Sequence, residues 1–540
     1  MKTIVVIQAR LSSSRLPAKV LLPIKSISMV VLAAKRAANQ GREVIVVTSI
    51  EQSDDLLCEE LNKNDVSYYR GSLNNTLSRF VSALKAFDDE TVVFRLTADN
   101  VFPDGELLDE IEDYFLSGGY SYLACNGESS GVPYGLSVEV MELASLREAN
   151  ANTNEQFDLE HVTPYIRRKH GEAYFDKYKE LNAGMLRCTV DSLDDYISVY
   201  RVFSDVENPI SVSWKELLVR LKKESENVLV KSPVSKLVFG AAQLGLNYGI
   251  NNKSGQPSQD LSDRIIKKAI VNGVGFIDTA RAYGDSEYVL GNILQKGWES
   301  RVQAITKLSP LTSCGTVDFD YEIKIHVKAS VYESCVRLRT SQIFCLMLHR
   351  VEHLQGWNGA VWDELLGFKE SGLVKSLGVS VQSPEELELA LSFKDVEFIQ
   401  MPYNLLDSRW DDTIKKIKAV KKERRLFVHV RSSLLQGLLS TSDKRLWNKA
   451  NVVDPSSVMS FLEQKTTKFK LNSIVELCLK YVKSQGWVDG VVVGMESEAQ
   501  LDENLKIFSS KNLSLDELVE INRDRPILSA KTLNPANWIV

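Results

Sequence analysis

Short apolar runs alternate with amphipathic stretches through the first 205 residues of the chain. Such runs, bounded by polar positions, are typical of buried β-strands. Helical periodicity fills several of the intervals, for example residues 54–62 and 76–87. The alternation predicts an α/β domain with a largely parallel sheet. The predicted strands are residues 4–7, 44–47, 92–96, 121–124, 138–141 and 186–190.

The second half of the chain alternates more regularly. Eight apolar runs follow one another from residue 237, each followed by sequence compatible with a helix. Eight alternating β and α units are the count of a TIM barrel, whose chemistry lies at the carboxyl ends of its strands. For the segment after residue 508, the sequence leaves open whether it packs on the barrel or on the other domain. The predicted barrel strands are residues 237–241, 275–278, 302–306, 343–348, 376–381, 398–401, 426–430 and 490–493.

Length and composition agree with two globular domains. The chain has 540 residues, more than a usual single core. Its 44% apolar and 25% charged residues are ordinary for a soluble globular protein. Residues 213–224 are predicted to form an amphipathic helix, and residues 231–235 form a short polar break that contains a proline. We therefore expect one domain over residues 1–210, a linker over 211–235 and the barrel over 236–540.

Charge and cysteine usage argue against several kinds of partner. The net charge of −6, without a long Lys/Arg block, gives no support for nucleic-acid binding. The seven cysteines show no metal-like spacing, which favours buried free thiols. No apolar run approaches membrane-spanning length, and the first run is too short for a signal peptide. We expect a cytoplasmic protein without a membrane partner, and a homo-oligomer is left open.

Four residues with complementary chemistry fall at the ends of successive predicted barrel strands. Asp278 and Tyr283 follow the second strand, Lys307 the third and His349 the fourth. A tyrosine hydroxyl can protonate a carbonyl oxygen while hydride reaches the carbon, and a nearby ammonium lowers the pKa of a phenol. An aspartate holds that ammonium in place, and a histidine orients the carbonyl. An Asp-Thr pair capping a helix gives a similar local pattern, so the whole set carries the prediction.

This tetrad and the loop at residues 283–287 resemble the aldo/keto reductase family. Residues 239–251 resemble a bacterial branch of it that is associated with surface-polysaccharide synthesis. The resemblance implies a reductase that uses NADH or NADPH. NADP-preferring relatives place Lys or Arg around positions 496 and 500, where this chain has Glu and Gln, so we expect NADH to be used at least as well as NADPH. The residues implied to contact the dinucleotide are Ser380, Gln400, Arg431, Gly494, Ser497, Gln500, Glu503 and Asn504.

A second set of polar residues follows strands of the first half. The loop at residues 8–19 contains three cations and three serines. Hydroxyls, backbone N–H groups and cations suit a polyphosphate, although a solvated basic loop has the same composition. Asp99 and Asp191 follow two other predicted strands, and two carboxylates facing a basic loop can hold a hard divalent ion against phosphates. Either aspartate alone is more often a helix cap.

Residues 1 to about 205 resemble the cytidylyltransferases of cell-surface sugar synthesis, especially the spore-coat polysaccharide branch. The match runs through the basic loop and residues 69–72, 96–99, 135–140, 160–168 and 189–195. It implies a Rossmann-like, GT-A-like nucleotidyltransferase domain that binds CTP, with Mg²⁺ held by Asp99 and Asp191. Arg15 and Lys19 are implied to act in catalysis. The implied nucleotide-binding residues are Arg10, Ser14, Arg15, Lys19, Arg70 and Ser72. The implied sugar-side residues, for which core packing or helix capping is the alternative, are Tyr134, Glu139, His161 and Arg167.

Together the two resemblances imply a bifunctional enzyme of activated-sugar synthesis. It would transfer CMP from CTP to a sugar and reduce a sugar carbonyl. Two acceptor classes stay open, namely a 2-keto-3-deoxy sugar acid and an alditol or sugar phosphate. In an alternative function, one domain is a nucleotide-sensing or scaffolding module attached to a single active enzyme. A third possibility is a barrel that works as an epimerase or dehydratase on a tightly held cofactor.

Overall fold

The structure is a computed structural model that describes residues 2–13, 16–228, 234–247, 249, 250, 255–312, 314 and 320–538. The chain divides into two compact units. The first comprises Met1–Asn227 with Lys296–Ser300, and the second comprises Val228–Gln295 with Arg301–Val540. None of the described helices combines the length and apolar character that crossing a bilayer requires.

A seven-stranded mixed sheet forms the centre of the first unit. The strands of this unit are β1 (Thr3–Gln8), β2 (Pro23–Ile24), β3 (Ile27–Ser28), β4 (Glu43–Ser49), β5 (Tyr68–Gly71), β6 (Val92–Thr97), β7 (Tyr122–Cys125), β8 (Val138–Glu142) and β9 (Ala173–Tyr174). Their order in the sheet is β5-β4-β1-β6-β8-β7-β9, and β2 and β3 form a separate hairpin. The first four strands in that order are parallel, whereas β8 runs antiparallel to both of its neighbours.

Both faces of this sheet are covered. Along β1, Val5 and Ile7 join the hydrophobic cluster on one face, whereas Ile4 and Val6 join the cluster on the other. Successive side chains of a strand point to opposite faces, so a strand buried on both sides is apolar at every position. The helices are α1 (Met29–Ala37), α2 (Asp55–Lys63), α3 (Thr76–Ala83), α4 (Gly105–Gly118), α5 (Gly127–Ser130), α6 (Leu143–Asn152), α7 (Gln156–His161), α8 (Pro164–His170), α9 (Leu193–Val202) and α10 (Trp214–Val228).

The helix predicted within the linker belongs to the first unit. Trp214, Leu217 and Leu221 of α10 are buried in the core of that unit. The backbone N–H of Trp214 also donates to a carboxylate oxygen of Asp104 at 2.7 Å. The unit therefore extends through Asn227, beyond the boundary expected at residue 210, because α10 buries its apolar face against the sheet domain.

Two further expectations for the first unit differ from the structure. Residues 186–190 do not form a strand, and Arg187 makes only an isolated bridge to Tyr134. Their backbone bonds are divided between different partners, since Cys188 N–H donates to Tyr134 O and Val190 N–H donates to Asp99 O. In addition, β5 and β9 are present but were not predicted, because both are short and only half-buried.

The second unit is a closed eight-stranded barrel in which neighbouring strands are parallel. All eight predicted strands are present, and their ends lie within two residues of the predicted ones. The TIM-barrel prediction is therefore confirmed. The strands are β10 (Leu237–Gly240), β11 (Phe276–Asp278), β12 (Gln303–Lys307), β13 (Ile343–Leu348), β14 (Val374–Ser380), β15 (Phe398–Pro402), β16 (Phe427–Arg431) and β17 (Gly490–Gly494).

The tail beyond residue 508 packs on the helices of the barrel. The helices of the unit are α11 (Ala242–Gly245), α12 (Gln259–Val271), α13 (Ser286–Leu294), α14 (Asp320–Leu338), α15 (Ala360–Glu370), α16 (Pro384–Ser392), α17 (Thr413–Glu423), α18 (Lys444–Lys449), α19 (Ser456–Lys468), α20 (Ile474–Lys483), α21 (Glu498–Ser509), α22 (Leu515–Asp524) and α23 (Ala530–Leu533). Lys483 of α20 donates to the carbonyls of Ile507, Phe508 and Ser510. The Tyr481 hydroxyl donates to Asn522 at 2.6 Å. The alternative left open by the sequence is thereby resolved in favour of the barrel.

His429 lies inside the barrel and gives stability a pH dependence. Its ring on β16 is 1% exposed and packs against Phe276 and Phe398 at centroid distances of 5.3 and 5.7 Å. Burial, with a smaller contribution from Lys421 and Lys307, lowers the pKa of His429 to about 3. Between that pKa and the ordinary value near 6.5, the unfolded chain binds a proton that the folded chain does not. Stability must therefore rise with pH in this window.

We expect the free energy of unfolding of the barrel to fall by about 1.4 kcal/mol per pH unit from this residue as pH drops below 6. Urea titrations between pH 4 and 7 measure the slope, and His429→Leu should reduce it. Phe276→Leu is the matched control, because it damages the same packing without removing a titratable group. It should lower stability at every pH and keep the slope. An unchanged slope in His429→Leu would contradict the assignment.

Candidate active sites

The acidic and basic members of the tetrad meet inside the barrel. β11 ends at Asp278 and β12 at Lys307, and these strands are neighbours. The Nζ atom of Lys307 lies 2.7 and 2.8 Å from the two carboxylate oxygens of Asp278. Both residues are buried, so the attraction is little screened by water. The strand ends thus hold a desolvated ion pair in fixed geometry.

Lys307 also reaches the phenol of the tetrad. It donates to the Tyr283 hydroxyl at 3.4 Å and to the carbonyl of Thr279 at 3.0 Å. Burial alone lowers the pKa of Lys307, but the Asp278 carboxylate and the Tyr283 hydroxyl together outweigh it and hold the pKa above its usual range. The side chain is therefore an ammonium at neutral pH, placed to stabilise negative charge that develops on the Tyr283 oxygen.

His349 directly follows β13 and completes the set. Its ring centroid lies 6.0 Å from that of Tyr283, with the rings at 89°. Burial, together with the nearby Lys307 and Arg431 charges, lowers the pKa of His349 to about 3. Its Nδ1 atom has no hydrogen-bond partner among the described residues. At neutral pH this is an uncharged imidazole, which suits orienting a carbonyl rather than supplying its proton.

Gln400 supports Asp278 from across the barrel. Its Nε2 atom donates to Asp278 Oδ1 at 2.7 Å, and Ser380 is its neighbour in the strand register. Its Oε1 atom is buried and has no partner in the part of the chain that the structure describes. A buried amide oxygen is a strong acceptor, and leaving it unpaired is unfavourable. This orphan acceptor fits the amide N–H groups of a nicotinamide.

A cavity of about 250 Å³ opens beside the tetrad. Of the residues predicted to bind the dinucleotide, Arg431, Gly494 and Gln500 line it, together with Asp278, Tyr283 and Glu496. A Cβ at Gly494 would lie 2.2 Å from the side-chain amide of Gln243, so a larger residue would require Gln243 to move. The Arg431 guanidinium donates to the carbonyl of Val381 at 3.3 Å. The arginine and the glycine in the lining of this cavity are compatible with a dinucleotide.

The remaining predicted dinucleotide contacts do not line this cavity. Ser497 caps α21 by accepting from the N–H of Gln500 at 3.3 Å. Glu503 is exposed on the same helix, and Asn504 is buried in it. Ser380 is 4% exposed on β14. Gln400 does not line the cavity either, so five of the eight predicted contacts lie outside its lining.

In the first unit, Lys19 joins the two predicted metal ligands. Its Nζ atom lies 2.6 Å from Asp99 Oδ2 and 3.1 Å from Asp191 Oδ1. The carboxylates meet because Val190 N–H donates to Asp99 O, which ties the segment before Asp191 to the end of β6. Lys19 also donates to the carbonyl of Val190 at 2.7 Å.

The donor set fits Mg²⁺. The described residues contain no group of three or more His, Cys, Asp and Glu side chains that would hold a metal ion unaided. Mg²⁺ is commonly held by one or two carboxylates with the rest of its shell from phosphates and water. Asp99 and Asp191 supply two such carboxylates at one point. Arg187 orients the second by donating to Asp191 Oδ2 at 2.7 Å.

Only some of the predicted nucleotide-binding residues line a cavity of the first unit. Arg10 and Lys19 line a cavity of about 250 Å³ with both aspartates. Ser14 and Arg15 lie outside the described residues. Arg70 does not line the cavity, because its guanidinium is bonded to the carbonyls of Ser49 and Glu51 and to Asp55. Ser72 is exposed and also lies off the cavity.

Of the predicted sugar-side residues, only His161 lines this cavity. The Glu139 carboxylate is occupied by Arg95, by the Tyr122 hydroxyl and by Thr163 Oγ1, so it serves the core. Arg167 forms an ion pair with Glu172 at 2.7 Å. Tyr134 lies under the Arg187 guanidinium at 5.2 Å from the ring centroid. The alternative given for these residues was core packing or helix capping. Core packing describes Glu139, whereas Arg167 is held by an ion pair and Tyr134 by a cation–π contact.

Several residues that line this cavity were not among the predicted contacts, notably Gln8, Thr76 and Arg79. Gln8 ends β1, and its Oε1 atom accepts from Arg95 at 3.0 Å. Thr76 and Arg79 lie one turn apart on α3 and are both buried. No local sequence signal pointed to Arg79, because helical periodicity places it away from the apolar stripe of Leu77, Phe80 and Leu84.

Comparisons with known proteins agree with the division into two units. Residues 236–523 match the family model described as "Aldo/keto reductase family", and residues 4–212 match the one described as "Cytidylyltransferase". Over 239 residues the chain is 30% identical to an uncharacterized protein of Methanocaldococcus jannaschii, covering 43% of this chain and 96% of that protein.

Two further relatives each match one unit. The spore coat polysaccharide biosynthesis protein SpsF of Bacillus subtilis is 32% identical over 234 residues, covering 41% of this chain and 94% of SpsF. The L-galactose dehydrogenase of Arabidopsis thaliana is 25% identical over 296 residues, covering 53% of this chain and 88% of that enzyme. The chain therefore belongs to the aldo/keto reductase family through residues 236–523 and carries a cytidylyltransferase domain in residues 4–212.

Proposed function

We propose that the chain is a bifunctional enzyme of activated-sugar synthesis for a cell-surface polysaccharide. The first unit transfers CMP from CTP to a sugar, and the barrel reduces a sugar carbonyl with NADH or NADPH. The observation that supports this most strongly is the presence in each unit of a buried lysine that is bonded to an aspartate carboxylate beside a cavity. The name of the SpsF relative supports the polysaccharide context.

In the barrel, Tyr283 is the proton donor. Its hydroxyl gives a proton to the carbonyl oxygen, and the Lys307 ammonium at 3.4 Å stabilises the phenolate that remains. Asp278 keeps the ammonium in place. Neutral His349 donates a hydrogen bond that orients the carbonyl. The nicotinamide, when bound, supplies the hydride.

In the first unit, catalysis is positioning and charge neutralisation. An oxygen of the acceptor sugar attacks the α-phosphorus of CTP, and pyrophosphate leaves. Lys19 and Arg10 neutralise phosphate charge, and Asp99 and Asp191 would hold Mg²⁺. Mg²⁺, when bound, withdraws charge from the phosphate oxygens. His161 lies in the same cavity and is proposed to contact the acceptor.

The acceptor belongs to one of two classes, a 2-keto-3-deoxy sugar acid or an alditol or sugar phosphate. For the second class, reduction of a keto or aldehyde group before cytidylyl transfer gives a CDP-linked product. We further propose that NADH serves at least as well as NADPH. Glu496 lines the dinucleotide cavity, and Gln500 is bonded to its backbone N–H at 2.9 Å. A carboxylate there repels a 2′-phosphate.

A thermal-shift panel on the full chain tests this proposal. CTP, UTP, ATP and GTP are compared with and without Mg²⁺, and NADH is compared with NADPH. A ligand at a hundred times its Kd stabilises the folded state by about 2.7 kcal/mol. We expect a shift with CTP that requires Mg²⁺, and a separate shift with NADH. A shift with UTP or GTP but not CTP would overturn the transferase assignment, and a hundredfold kinetic preference for NADPH would overturn the cofactor assignment.

A further inference from the structure

The cavity of the first unit contains a buried guanidinium with free hydrogen-bond donors. Arg79 lines this cavity and is 3% exposed. Its Nη2 donates to Thr76 Oγ1 at 2.6 Å, but its Nε and Nη1 have no partner among the described residues. Leaving a buried charged donor unpaired is strongly unfavourable. In a folded protein such an atom needs an explanation.

Neighbouring residues constrain the conformation of the Arg79 side chain. Arg79 extends from α3 over Gly71, the last residue of β5. A Cβ at position 71 would lie 2.7 Å from Arg79 Cγ, so only glycine leaves the path open. Thr76, one turn earlier on α3, fixes the guanidinium by its hydroxyl. Both ends of the side chain are therefore constrained while two of its donors stay unused.

The nearby Asp54 carboxylate offsets the burial of Arg79 only in part. Its oxygens accept from Leu11 N–H, Thr48 Oγ1 and Ser49 N–H rather than from Arg79. Arg10 lines the same cavity and adds a like charge. Burial first, and then Arg10, lower the pKa of Arg79 to about 10, which leaves it a cation at neutral pH. The free protein thus holds a destabilised positive charge.

We propose that Arg79 is an anion-binding residue that receives the triphosphate of CTP in the cavity that it lines together with Lys19, Asp99 and Asp191. The inference rests on the proposed function of the first unit and extends it by one residue. A bound phosphate supplies the acceptor atoms that Nε and Nη1 lack. The unfavourable free energy of the unpaired charge is therefore relieved only when the nucleotide binds.

Arg79→Met separates this role from a structural one, because the two predict opposite signs. If Arg79 receives an anion, removing an unpaired buried charge leaves the melting temperature of the free protein unchanged or raises it. The Kd for CTP with Mg²⁺, measured by calorimetry, should rise roughly ten- to hundredfold. The Kd for tripolyphosphate should rise by a similar factor, and Arg79→Lys should restore part of the affinity for both.

Arg36→Met is the matched control. Arg36 is a buried arginine of the same unit whose guanidinium is bonded to the carbonyls of Pro209, Val212 and Phe102. Its removal should lower the melting temperature of the free protein. A similar drop in Arg79→Met with an unchanged Kd for CTP would overturn the inference while the proposed function stands. If wild type binds tripolyphosphate through Arg79 but fails to bind CTP, the anion-binding role holds and the CTP assignment fails.

Discussion

Replacing Tyr283 by Phe is expected to lower kcat for carbonyl reduction by about 10³-fold. The hydroxyl is the proposed proton donor, and it lies 3.4 Å from the Lys307 ammonium, which is placed to stabilise its conjugate base. Phenylalanine keeps the ring and its perpendicular contact with His349 but has no proton to give. The rate is measured as oxidation of NADH in the presence of a panel of aldoses, ketoses and an aromatic aldehyde. Binding of NADH should change little, because the loss lies in the chemical step.

Tyr288→Phe is a suitable control, since Tyr288 is an exposed tyrosine on the following helix. It should leave reduction intact. Retention of full activity in Tyr283→Phe would contradict the assigned role of the hydroxyl. If wild type also binds NADH without consuming it with any carbonyl, the alternative of a nucleotide-sensing barrel gains support. Turnover without net NADH consumption would instead favour an epimerase or dehydratase.

Replacing Lys19 by Met should lower CMP transfer by about 10²- to 10³-fold without affecting reduction by the barrel. The ammonium lies 2.6 Å from Asp99 and 3.1 Å from Asp191, at the point where phosphate charge must be neutralised. Without it, the two carboxylates repel each other and attract a divalent ion more strongly. We therefore expect the Mg²⁺ concentration for half-maximal activity to fall while kcat drops. Release of pyrophosphate from CTP measures the transfer.

The exposed Lys25, close in sequence but absent from the cavity lining, provides the control variant Lys25→Met. It should retain full transfer activity. A drop in kcat for Lys19→Met together with a weaker Mg²⁺ response would show that Lys19 organises the carboxylates rather than neutralising phosphate. Unchanged transfer would remove Lys19 from the site altogether.

The barrel was predictable because its strands are buried on both faces and thus read as short apolar runs. Four residues at three successive strand ends then had to share one face, as Asp278, Lys307 and Tyr283 do. The first sheet was predictable for the same reason. Its short edge strands β5 and β9 were not, because two to four half-buried residues carry too little pattern.

Individual roles in the first unit could not be obtained from the sequence, because they depend on partners far away in the chain. The Glu139 carboxylate accepts hydrogen bonds from Arg95, Tyr122 and Thr163, and no local sequence pattern predicts these contacts. The role proposed for Arg79 depends on its unpaired Nε and Nη1 donors, which only the structure shows. Residues 186–190 have the composition of a strand, but their backbone bonds are shared between Tyr134 and Asp99.

The presence of both compact units on one polypeptide has a consequence for metabolism. Under the proposed function, every molecule that is synthesised carries one reductase barrel and one cytidylyltransferase domain, so the two activities are produced in equal numbers at any level of expression. Raising or lowering transcription scales both capacities by the same factor. Any difference between the two fluxes must then arise from the rate constants of the sites or from the supply of their substrates.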